Sequence, residues 1–234
     1  MRVVVLQPGY LPWLGFFDQM YKSDVFIIYD DVQYDKHGWR NRNRIKTAQG
    51  VQWLTIPVLI KKQDNPLIKE VLINNKVDWR RTHLKSIKQS YSRAPFFDTY
   101  FEIFEEIYSK EWKFLIDIDM AFISALMEKL GLTTEIRFSS SLGITGKGTQ
   151  RLVDICLHLG ASEYLTGDAA EDYLDESLFR LNGIELQYHH YQHPVYNQLY
   201  GEFIPYLSVI DLLFNHGEES LDILTHKKLA KEVG

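Results

Sequence analysis

The sequence predicts an α/β fold: a Rossmann-like, mainly parallel sheet with flanking helices and a helical insertion. Three observations carry this. Val3-Val4-Val5-Leu6 and Val25 to Tyr29 are short apolar runs without alternation, the pattern of strands buried on both faces. Trp13 to Tyr21 joins them with a helical pattern, giving a strand–helix–strand opening within about thirty residues. After Glu135 short strands and helices alternate again.

Each element has a local reason. Two prolines and a glycine in Gln7-Pro8-Gly9-Tyr10-Leu11-Pro12 end the first strand in a loop, and Phe17, Met20 and Tyr21 then recur at helical spacing. Asp30-Asp31 closes the second strand. Val51 to Val58 alternates and reads as a strand. Just before it, Trp39-Arg40-Asn41-Arg42-Asn43-Arg44, if extended, places Arg40, Arg42 and Arg44 on one face and Asn41 and Asn43 on the other. Its Trp39 and Trp53 flanks read as core anchors. From Val77 to about Leu130 the pattern is helical. Trp79, His83, Ile87 and Tyr91 share one face, Ala94-Pro95 breaks the run, and Gly131 caps the last stripe.

In the final third, Glu135 to Ser139, Glu163 to Thr166 and Ile184 to Tyr188 read as strands. Helices are predicted from Thr149 or Gln150 to Leu159, with Gly160 as C-cap, from Asp175 to Leu181, and from Tyr206 to Phe214. The expectation is a single α/β domain spanning 1–234 with a helical insertion at about 77–131.

Composition narrows the function. The 234 residues carry 26 Lys+Arg against 31 Asp+Glu, with 45% apolar residues, which excludes disordered and low-complexity classes. No uncharged apolar run approaches the roughly 18 to 20 residues of a membrane span, and no leader pattern opens the chain, so a cytoplasmic location is expected. One cysteine, Cys156, on an apolar helix face, removes a disulfide framework and reads as inert core. The net charge of -5 conceals a split. Lys36 to Arg93 holds 14 Lys/Arg and three acids, a balance of +11, leaving -16 for the remainder. A basic block in an acidic protein favours a small phosphorylated substrate over a long polyanion, so nucleic acid is disfavoured as a partner.

In an α/β sheet, ligands sit at the carboxyl ends of strands, here Gln7–Pro12, with Gln7 and Tyr10, and Tyr29–Asp31. The loop Ser139 to Arg151 places Ser140, Gly146, Lys147 and Thr149 before a helix, where backbone N–H groups can hold an anion. The alternative is a solvent loop with Thr149 as N-cap. Arg40, Arg42 and Arg44, with Asn41 and Asn43, suit a polyphosphate or carboxylate clamp. Asp168, at a strand's carboxyl end, either accepts from a ribose or sugar hydroxyl or caps the next helix. Among His189, His190 and His193 at most two imidazoles converge on a strand, so no metal site is assigned and a metal requirement stays open. Asp30, Asp31 and His193 are the candidate bases. Asp211, amid Leu and Ile, needs a partner.

Several segments together resemble the WbqC-like family of bacterial proteins: Gln7 to Gly15, Tyr29-Asp30-Asp31-Val32-Gln33, Trp39 to Asn43, Tyr164-Leu165-Thr166-Gly167, and Pro205 to Asn215. The resemblance implies a role in surface-polysaccharide and O-antigen biosynthesis, as a transferase modifying a sugar, with amino-acyl transfer to an amino sugar as one form. A looser similarity links the opening loop to nucleotidylyltransferases of the pantothenate-synthetase type. Leu14 and Phe16 stand where that type has paired histidines, which speaks against adenylyl transfer by the usual mechanism. The expected function is therefore a nucleotide- or nucleotide-sugar-dependent transferase, using ATP or a sugar nucleotide. The alternatives are an ATP-dependent ligase or nucleotidylyltransferase activating a small carboxylate, and a non-catalytic nucleic-acid or glycan-binding protein.

Overall fold

In a computed structural model describing residues 1–61 and 64–227, the opening forms as β1 (Arg2–Leu6), α1 (Leu14–Tyr21) and β2 (Val25–Ile28). An antiparallel hairpin of β3 (Arg42–Thr47) and β4 (Gly50–Thr55) follows. Then come α2 (Trp79–Tyr91), α3 (Phe97–Ser109) and α4 (Leu115–Lys129). The α/β pattern resumes through β5 (Glu135–Phe138), α5 (Gly148–Leu159), β6 (Glu163–Thr166), α6 (Glu176–Leu181) and β7 (Glu185–Tyr188). Two further helices, α7 (Val209–His216) and α8 (Ser220–Leu224), complete the described elements.

Five strands pair in parallel in the order β5-β2-β1-β6-β7. From β1 the chain moves outward to β2 and β5, then returns beside β1 to lay down β6 and β7. The order reverses between β1 and β6. The unbroken apolar runs are explained by burial on both faces. Val4, Phe26, Ile28 and Leu165 join one core cluster with side chains of α1, α2, α3, α4 and α7. Val3, Val5, Val25, Ile27 and Tyr164 join a second with Leu152, Val153, Ile155, Cys156 and Phe179 of α5 and α6. Each such aliphatic side chain contributes about 2 kcal/mol through removal from water. The fold is thus mixed α/β, with a parallel sheet and flanking helices.

Several local expectations shift. Strand β3 starts at Arg42, so Arg40 is not part of an extended arginine face. Trp39 and Trp53 are 43% and 46% exposed rather than core anchors, because Trp53 sits opposite Arg44 on the outer side of the hairpin. Helix α5 starts at Gly148 with Lys147 at the N-cap, and the Thr149 hydroxyl instead accepts the Asp175 N–H at 3.1 Å. Strand β7 ends at Tyr188, so the three histidines beyond it are not arranged by a strand. The last predicted helix begins later, at Val209, with the Ser208 side chain as its cap. Gly160 ends α5 in the left-handed region (φ 69°), as its glycine predicts.

Candidate functional site

A cleft of about 810 Å³ opens at the carboxyl ends of β1, β2 and β6, where the sheet order reverses. Gln7 follows β1, Tyr29 and Asp31 follow β2, Thr166 ends β6 and Gly167 follows it. The Gly146-Lys147-Gly148 turn forms another wall, and Arg40, Asp35 and Tyr173 complete the polar lining used below. Gly146 and Gly148 have φ of 102° and 62°, values that L side chains rarely adopt. The turn delivers the chain into α5, whose N-terminus carries no side-chain cap. Its first-turn N–H groups thus lack a side-chain cap acceptor.

Arg151, one turn into α5, organises the cleft's charge. Its Nη2 donates to Asp31 Oδ2 at 2.6 Å and its Nε to the Ile144 carbonyl at 3.2 Å, while its guanidinium lies 5.1 Å from the Tyr29 ring centroid. The two side chains of the ion pair are 6% and 16% exposed. Burial alone would raise the Asp31 carboxyl, but hydrogen bonds from Arg151 and from Ser139 hold it below the usual carboxylate range. Burial likewise works against the Arg151 charge, and Asp31 and Tyr29 reverse that effect. Asp31 is thus held in its charged form, where it orients the Arg151 guanidinium.

The other candidates divide sharply. Arg40 reaches the cleft, its Nη1 bonded to the carbonyls of Gln7 and Pro8 at 3.0 and 3.2 Å, which anchors the loop after β1. Burial lowers its pKa, opposed by Asp119, Asp35 and Tyr34. Lys147 is exposed at the cleft wall. Asp30 turns elsewhere. It accepts from Ser139 Oγ, Ser140 N and Ser140 Oγ at 3.0, 3.0 and 2.6 Å, tying β2 to the end of β5, and lines a separate cavity of about 430 Å³ with Lys69 and Trp112. Ser140 is consumed in the same tie.

Asn41 and Asn43 are buried and serve the chain itself. Asn41 Nδ2 donates to the Ile56 carbonyl at 2.8 Å, and Asn43 Nδ2 to the Leu11 carbonyl at 2.6 Å. Arg42 and Arg44 do not line the cleft; they lie over Trp53 and Trp39 on the hairpin. Tyr10 is fully buried, its hydroxyl meeting His83 Nδ1 at 2.9 Å and the Tyr108 hydroxyl. Thr149 serves the backbone of the segment before α6. His193 packs among Tyr191, Tyr196, Phe203 and Tyr206, away from the cleft lining, and burial lowers its pKa. His189 pairs with the buried Asp18 at 2.5 Å, alongside Lys22.

Asp168 follows Gly167 of the cleft lining but is not itself part of that lining; its Oδ1 accepts the His190 N–H at 2.7 Å. Among the described residues, Asp168, Glu171 and His190 form the group whose ligand atoms lie within 4.8 Å of one another, and all three are exposed. His190, which the sequence spacing points away from His189 and His193, has as its partners the acids Asp168 and Glu171 that follow β6. Tyr173, 70% exposed on the cleft wall, and the Asp31–Arg151 pairing also escaped the sequence reading. An exposed aromatic leaves no periodic signal, and 120 residues separate the ion-pair partners.

The WbqC-like protein family model matches residues 7–223, and the chain belongs to that family. An uncharacterized Mycobacterium tuberculosis protein, Rv1507c, is 37% identical over 227 residues, covering 96% of this chain and 98% of that relative. No solved structure gives a significant match. Among the described residues no helix is long and apolar enough to cross a membrane.

Proposed function

We propose that the cleft binds the phosphates of a nucleotide or nucleotide-sugar and that the protein is a transferase in bacterial surface-polysaccharide biosynthesis. The observation that carries the reading is the convergence of Arg40, Lys147, Arg151 and the uncapped α5 N-terminus on one cleft, at the reversal of a parallel sheet. Counted in chain order the sheet strands run 3-2-1-4-5, which supports a Rossmann-like binding mode. Membership of the WbqC-like family supports the glycan context.

The mechanism is positional and electrostatic. Arg151, held by Asp31 and the Ile144 carbonyl, and Lys147 neutralise phosphate charge. Arg40 fixes the Gln7–Pro8 backbone against the same ligand, and the α5 N–H groups take an anionic oxygen. Asp31 keeps its charge throughout, so its contribution is to orientation. A thermal-shift series with ATP, ADP and sugar nucleotides tests this. A bound nucleotide at a hundred times its Kd stabilises the native state by about 2.7 kcal/mol. Arg151→Ala and Lys147→Ala should abolish or sharply reduce the shift. If neither substitution changes it, or no nucleotide produces one, the reading is wrong.

A further inference from the structure

The outer face of the β3–β4 hairpin carries an aromatic surface that the cleft does not use. Trp39 and Trp53 are 43% and 46% exposed, with ring centroids 5.0 Å apart and planes inclined at 40°. Val51, 42% exposed, extends the same strand face, since it and Trp53 are two residues apart on β4. Arg44 lies 5.3 Å from the Trp39 ring and 5.8 Å from Trp53, and Arg42 lies 5.1 Å from Trp53. Both guanidiniums are held in place: Arg42 by the carbonyls of His37 and Gly38, Arg44 by the carbonyl of Tyr206, itself 48% exposed. Single exposed apolar residues are ordinary; two indoles side by side with cations locked over them are a surface prepared for contact.

We propose that this Trp39–Trp53 platform, with Arg42 and Arg44, is the docking site for an oligosaccharide bearing carboxylate groups. The proposal deepens the transferase reading, on which it rests only for the saccharide's role as acceptor. A pyranose ring offers an apolar face of C–H groups inside a polar rim, which matches the indole surface, 43% and 46% exposed, left accessible beside the two guanidiniums. The N–H groups of the two guanidiniums not taken by backbone carbonyls complement a carboxylate on the rim. The same chemistry disfavours a polynucleotide. Its phosphates need a run of uncommitted cations, whereas these two arginines are partly spent on the chain's own carbonyls, and the sequence outside Lys36–Arg93 carries -16.

Position supports a shared role with the cleft. Trp39 precedes Arg40, and the Arg40 guanidinium lines the cleft while its carbonyl accepts the Tyr10 N–H. A Cβ on Gly9 would come within 3.0 Å of the Trp39 carbonyl oxygen, so the segment carrying the platform packs directly on the loop that follows β1. The platform residue Trp39 is thus one position along the chain from Arg40 of the cleft lining.

Isothermal titration calorimetry of the full chain decides the matter, with oligogalacturonate, neutral maltohexaose and a short oligo(dT) as probes. Saturable binding of oligogalacturonate is expected. It should weaken about tenfold in Trp53→Ala and be largely retained in Trp53→Phe, which keeps a ring and controls for folding. Arg44→Gln should lower affinity for oligogalacturonate about fivefold and leave maltohexaose, the weaker ligand, unchanged. Arg151→Ala should leave saccharide binding intact while removing the nucleotide-induced shift, so the two sites fail independently. Four results would overturn the proposal: no saccharide binding, binding indifferent to Trp53→Ala, tighter binding of oligo(dT), or a concentration-dependent dimer abolished by Trp53→Ala.

Discussion

Asp211 shows how a single residue's environment sets a measurable property. Its two carboxyl oxygens accept the hydroxyls of Tyr91 and Tyr196 at 2.9 and 3.0 Å in a fully buried site, and burial pushes its pKa up to about 6 despite those donors. The folded state therefore holds this proton more tightly than the unfolded chain. Its contribution to stability falls as pH rises from about 4 to 6. His83 acts with the opposite sign: burial pushes it down to about 4, so its contribution is lost as pH falls from about 6.5 toward 4. The two offset each other across one window. Asp211→Asn removes only the first, so the variant should become the more acid-sensitive protein. Between pH 7 and pH 4.5 it should lose about 2 kcal/mol more than the wild type in urea unfolding. Equal pH dependence of the two would refute the assignment. The need for a partner was legible from the apolar neighbours of Asp211, but the partner was not, because Tyr91 lies 120 residues away. Asn41 and Asn43 teach the converse. An amide donating to its own chain's carbonyl and one awaiting a ligand look alike in sequence.

At the scale of elements, the strands β1 and β2 were legible because double burial leaves an apolar run, and α5 because its stripe ends in a left-handed glycine. The hairpin was only half legible. Alternation marked β4, but the arginines of β3 gain their partners from rings across the register, Arg44 opposite Trp53. That pairing sets the Arg42 and Arg44 guanidiniums over indole rings. The turn into α5 is the element on which the cleft most depends. Gly148 has φ 62° and a Cβ there would meet nothing within 4 Å, so Gly148→Ala should cost backbone strain alone, about 1 kcal/mol. Asn tolerates the left-handed region better, so Gly148→Asn should cost less. Thermal unfolding should rank glycine above asparagine above alanine, and the nucleotide-induced shift should follow the same order. Loss of stability without loss of the shift would separate this turn from the binding site. Asp31→Asn tests the adjoining pair: leaving Arg151 half-paired at 6% exposure should cost about 2 kcal/mol, between surface and buried ion pairs.

For the whole molecule, the charge split retains its size but not its single location. The Lys36–Arg93 block supplies one cation to the cleft lining, Arg40. Arg42 and Arg44 lie on the hairpin, Lys69 lines the smaller cavity, and the Lys46 ammonium is held by Gln198 and the Glu202 carbonyl. The other cleft cations, Lys147 and Arg151, come from the acidic remainder of the sequence. Folding thus disperses the block and assembles a modest positive site from separate parts, with Asp31 cancelling much of the charge of Arg151. The consequence is a weak salt dependence. With Asp31 and Asp35 also on the lining, Arg40, Lys147 and Arg151 leave about one net positive charge facing a phosphorylated ligand, which should give a slope of log K against log salt of about -1, by analogy with the release of roughly one counterion per neutralised phosphate. A polynucleotide-binding surface using the whole basic block would give a far steeper slope. Titrating ATP and oligo(dT) from 50 to 500 mM salt measures both. A shallow slope for ATP with no appreciable oligo(dT) binding is expected, and a steep slope for oligo(dT) would show that the dispersed cations act together after all.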